Sequence, residues 1–141
     1  ILFCKAMELQ MKDCFEESLK AIFPEEKIRG QGKGRGCIAL KDAESKELTL
    51  GAFQRIINAK KKELGRRMEA AGKKEYGFQW WNAFVDRLSE CTARRNKCCH
   101  SGLFSWKDQS YLLAEMFKRD CKNSEIQLGG ILFESRIGKG L

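Results

Sequence analysis

The chain has 141 residues, 43% of them hydrophobic and 33% charged, with a formal net charge of +8 and a pI near 9.2. That length accommodates one domain with a real core, and the apolar content excludes a disordered polyelectrolyte. No apolar run can span a bilayer, and Lys5 and Glu8 interrupt the apolar start before a secretory h-region could form. The cationic excess points to an anionic partner, either nucleic acid or an acidic surface. Opening on Ile1, the chain is compatible with being part of a longer protein.

Along the first segment, Phe3, Met7, Met11, Cys14, Phe15, Leu19 and Ile22 recur at steps of three and four, which predicts an amphipathic helix ending near Pro24. Residues 25–37 follow, with glycines at 30, 32, 34 and 36, and read as a mobile basic loop. They are not a P-loop, because no Gly-Lys-Ser/Thr opens a helix, and the glycine spacing fits no dinucleotide fingerprint. Lys33 and Arg35 could still touch a nucleic-acid backbone.

Thr49 is the expected N-cap of a second helix, with Leu50, Phe53, Ile57, Leu64 and Met68 on one face. Its opposite face carries Lys60, Lys61, Lys62, Arg66 and Arg67, and Gly72 ends it. The third helix is predicted from about residue 77 to 99, its stripe running through Phe78, Trp81, Val85, Leu88 and Thr92 into Arg95. Trp80, Trp81 and Phe84 read as core rather than as a base-stacking platform. After Gly102, residues 105–108 resemble a capping box with Asp in place of Glu, opening a fourth helix that buries Trp106, Leu113, Met116 and Phe117. Residues 122–141 have no settled element. The fold class is all-α, a four- to five-helix bundle forming a single domain over residues 1–141.

Seven cysteines, an odd number with no Cys-x-x-Cys pair, argue against a disulfide framework, and a single His argues against a zinc site. No metal or cofactor is expected. The cysteines read as small buried hydrophobes in a reducing compartment, with the cytoplasm as default.

The chemistry is concentrated in Arg94-Arg95-Asn96-Lys97-Cys98-Cys99-His100. On a helix, Asn96 lies about 100° and His100 about 140° from Arg95, so the three share an arc near the helix C-terminus. Asn96 and His100, four apart, can hydrogen-bond along one face. His100 can serve as acid or base near neutral pH, and a fixed guanidinium can stabilise a phosphorane-like transition state. A His and an Arg at a helix end also fit a capping role against the helix dipole, and the residues alone leave both readings open.

Arg95-Asn96-x-x-x-His100, late in a long helix of an all-α chain, resembles the signature of the HEPN family (higher eukaryote and prokaryote nucleotide-binding domains). The likeness extends in order of elements over residues 1–120, but only the six-residue motif is specific. It implies a HEPN-like helical bundle and a metal-independent endoribonuclease whose two motifs meet across a homodimer. Arg95 would bind the phosphate, Asn96 would orient His100, and His100 would be the acid/base. Apart from the resemblance, Arg94, Lys97 and the basic face of the second helix are expected to contact RNA by neutralising its phosphates. The resemblance further implies a role in toxin–antitoxin or antiviral defence, with an antitoxin or sensory domain as partner. In one subset a Tyr two residues after the His is modified; here that position is Gly102. The alternative is a noncatalytic helical module that binds RNA or a protein.

Overall fold

Three long helices pack side by side and account for most of the described chain. The computed structural model describes residues 2–30, 34, 36–101, 106–108 and 110. Helix α1, Leu2–Ile22, buries Met7, Met11, Cys14, Phe15 and Leu19, the face that the spacing predicts. It stops where Pro24 removes an amide and disfavours helical geometry in the residue before it.

The segment read as a loop contains a small hairpin instead. Strands β1, Lys27–Arg29, and β2, Cys37–Ala39, pair antiparallel with Ile28 opposite Ile38. The Gly30 amide donates to the Gly36 carbonyl at 2.7 Å to close the pair. Each strand is three residues long, too short for an alternation to register in sequence, yet Ile28 is buried between exposed Lys27 and Arg29. Gly34 and Gly36 have φ of 80° and 53°, which explains the glycine content as turn chemistry. Lys33 and Arg35 lie outside the described residues.

Helix α2, Leu50–Ala70, begins as expected: Thr49 Oγ1 accepts from the Ala52 amide at 3.2 Å. It ends in a Schellman motif, with the Lys73 amide donating to Met68 O at 2.9 Å and Gly72 at φ 82°. A one-turn 3₁₀ segment, Lys74–Tyr76, leads into α3, Phe78–Ser101. This short connection makes α2 and α3 antiparallel neighbours, stitched by Gln54 to Ser89 at 2.9 Å and Lys61 to Asn82 at 2.8 Å. Gly65 permits their close approach, since a Cβ there would sit 2.6 Å from the Phe78 amide nitrogen.

The core is aromatic where α1 meets α3. Phe15 lies 6.1 Å from Trp81 and 6.0 Å from Phe84, and all three are buried. Trp80 is half-buried and stacks on Phe84 at 5.4 Å, so these rings are committed to packing, as read from sequence. Each fully buried large side chain contributes about 1.5–3 kcal/mol. Residues 106–108 are helical, but Trp106 is 77% exposed rather than buried. Leu113, Met116, Phe117 and residues 122–141 lie outside the described residues. No helix among the described residues is long and apolar enough to cross a membrane.

Candidate active site

The motif occupies the last two turns of α3. Upstream the stripe is dry, with Leu88 and Cys91 buried, and Thr92 Oγ1 donates to the Leu88 carbonyl at 2.8 Å. The sequence placed Arg95 on the continuation of this buried stripe. The structure corrects that: the Arg95 side chain is 32% exposed.

Arg95 Nη1 donates to Asn96 Oδ1 at 3.3 Å, and Nη2 lies 4.0 Å from Glu8 Oε2. The second distance is an electrostatic approach and too long for a hydrogen bond. Glu8 is nearly buried, and its other oxygen meets Lys5 Nζ at 3.1 Å and Lys12 Nζ at 3.5 Å. One carboxylate from α1 therefore serves three cations. Asn96 is exposed beside the guanidinium. The backbone of His100 is helical, one turn beyond Asn96; its side chain lies outside the described residues, as does the expected Asn96–His100 hydrogen bond.

Arg94 and Lys97, read as RNA contacts, both reach Asp108. Arg94 Nη1 donates at 2.8 Å and Lys97 Nζ at 3.4 Å, while Arg94 Nε also donates to Glu90 at 3.0 Å. Asp108 is buried, so these two cations fasten the segment 106–108 onto the end of α3. The structure thus sets Arg95 between Asn96 and Glu8, and Arg94 and Lys97 on Asp108 with Glu90 a further partner of Arg94; motif reasoning missed all three carboxylates. Glu8 carried a partial signal, three residues from Lys5 and four from Lys12 on one helix face. Asp108, read from sequence as part of a capping box, carried no signal of this pairing, because its partners Lys97 and Arg94 lie 11 and 14 residues away.

Among the described cysteines, Cys14 and Cys91 are buried, as expected, whereas Cys37 is exposed on the hairpin. No three His, Cys, Asp or Glu among the described residues form a metal-ligating cluster. Comparison of the chain with protein-family models, curated proteins and solved structures gives no match.

Proposed function

We propose that this chain is a metal-independent endoribonuclease of HEPN type. The observation that carries the reading is the Arg95–Asn96 contact at the solvent-facing end of α3, with the His100 backbone one turn further on. Arg95 binds a phosphodiester and stabilises the charge that develops on its oxygens. His100, positioned by Asn96, removes the proton from the ribose 2′-hydroxyl; the new O2′–P bond forms as the P–O5′ bond breaks. A second His100, from the other protomer of a homodimer, protonates the departing 5′-oxygen. The products are a 2′,3′-cyclic phosphate and a 5′-hydroxyl. Arg94 and Lys97 hold the strand by exchanging Asp108 for phosphate.

A toxin or antiviral role, an antitoxin or sensory partner, and a cytoplasmic location belong to the same reading. A noncatalytic helical module is the second reading, and one observation favours it: Glu8 and Asp108 already neutralise the motif's cations. Incubating the protein with total RNA in EDTA separates the two. The catalytic reading expects fragments with cyclic-phosphate ends that vanish with His100→Ala at unchanged melting temperature. Uncut RNA, or equal cleavage by highly purified His100→Ala, favours the binding module.

A further inference from the structure

A cleft of about 390 Å³ lies between the β1–β2 hairpin and the N-terminal half of α2, and no residue of the α3 motif lines it. Its volume falls within the roughly 300–1,000 Å³ of small-molecule sites. Three cationic side chains border it: Lys27 and Arg29 from β1 and Arg55 from α2, all exposed. Three buried apolar residues, Ile28, Ala52 and Ile56, complete its wall. The lining carboxylate, Glu26, is turned to Lys60 at 3.2 Å, which leaves the rim strongly positive. Arg55 Nε donates to the Gly51 carbonyl at 3.2 Å, which fixes the guanidinium stem.

We infer that this cleft binds a small phosphate monoester bearing a flat apolar group, with a nucleoside monophosphate the simplest such ligand. Guanidinium groups match phosphate oxygens in a fork geometry, and their planar faces also stack on bases. The apolar wall suits the base; alone, it would give a free anion nothing to gain. Two arginines from separate elements make the site depend on the hairpin packing against α2. Cys37, exposed on the same lining, reports occupancy directly.

The test is calorimetric titration of the whole chain with AMP, GMP, adenosine and inorganic phosphate, alongside alkylation of Cys37 followed by peptide mass spectrometry. A nucleotide should bind more tightly than adenosine or phosphate and should slow Cys37 alkylation. Arg29→Ala with Arg55→Ala should weaken it by roughly tenfold or more, the loss expected of charge-assisted hydrogen bonds. Arg29→Lys, which keeps charge without the fork, should fall between. No nucleotide binding at millimolar concentration, binding indifferent to both arginines, or unprotected Cys37 would overturn the assignment. So would a ten-residue RNA that binds far more tightly than AMP through the same arginines, since the cleft would then be a strand groove.

Discussion

Asp108 sets the terms on which Arg94 and Lys97 meet a phosphate. Replacing it with Asn keeps the shape and removes the charge. Breaking a buried ion pair commonly costs several kcal/mol, but Lys97 is 58% and Arg94 26% exposed and can rehydrate. The loss should therefore be nearer about 1–2 kcal/mol, the scale of one charged hydrogen bond, and show as a lower melting temperature. The same Asp108→Asn protein should bind RNA more tightly at low salt, with a steeper salt dependence, because two cations no longer exchange a carboxylate for phosphate. Unchanged affinity would remove Arg94 and Lys97 from the RNA surface. A second residue-scale effect sits far from the motif. Lys41 donates to Glu25 at 2.6 Å; that hydrogen bond and charge lower the Glu25 carboxyl below its ordinary 4.5 and raise Lys41 above its ordinary 10.5. A lowered carboxylate stabilises the fold above its unfolded value and loses this as pH falls through the folded one. A raised lysine does the reverse at the alkaline end. The pair's contribution should therefore be full between about pH 4.5 and 10.5 and vanish outside, and Glu25→Gln should flatten stability against pH at both edges. Both groups are solvent-exposed, so salt should diminish the effect.

At the scale of elements, the α2–α3 pair rests on a missing side chain. Gly65→Ala should improve α2 by about 1 kcal/mol of helix propensity. The added methyl, however, meets backbone at 2.6 Å and 3.0 Å, atoms that cannot rotate aside. Overpacking of this kind costs about 1–3 kcal/mol, so a net loss is expected in chemical denaturation. At Gly77 the nearest atom to an added Cβ is the Glu69 carboxylate, the far end of a flexible side chain, and a milder effect should follow. The three long helices were legible because their apolar residues repeat at helical spacing over about two to five turns: Met7 to Leu19, Leu50 to Met68, Trp81 to Leu88. Thr49 and Gly72 also marked the ends of α2 by their own chemistry. The hairpin was not legible, since Ile28 stands alone among charged residues while Ile38 lies in an unbroken apolar run from Cys37 to Leu40, and neither three-residue strand shows an alternation. The motif's position at the end of α3 could be read from spacing. Its counterions could not, because Glu8 and Asp108 reach it only through the packing of separate segments.

Across the whole molecule, the buried charged residues among those described are Glu8, Glu47 and Asp108, all carboxylates. Among the described residues acid is drawn inward while cations remain outside, so the surface they form is more positive than their own charge count suggests. The tryptophans sample this arrangement at three depths. Trp81 is fully buried, and its Nε1 has no hydrogen-bond partner among the described residues; Trp80 is half-buried; Trp106 is 77% exposed. Indole emission shifts to the red as water reaches the ring, so the three should be spectrally separable without any label. Iodide, drawn to a cationic surface, should quench the red edge more strongly than caesium does, and Trp106→Phe should abolish that quenchable fraction. The blue remainder, from Trp81, should persist until the bundle unfolds. RNA arriving at Arg94 and Lys97 should shield the red component while leaving the blue one untouched, so one emission spectrum reads occupancy at one edge and integrity at the other.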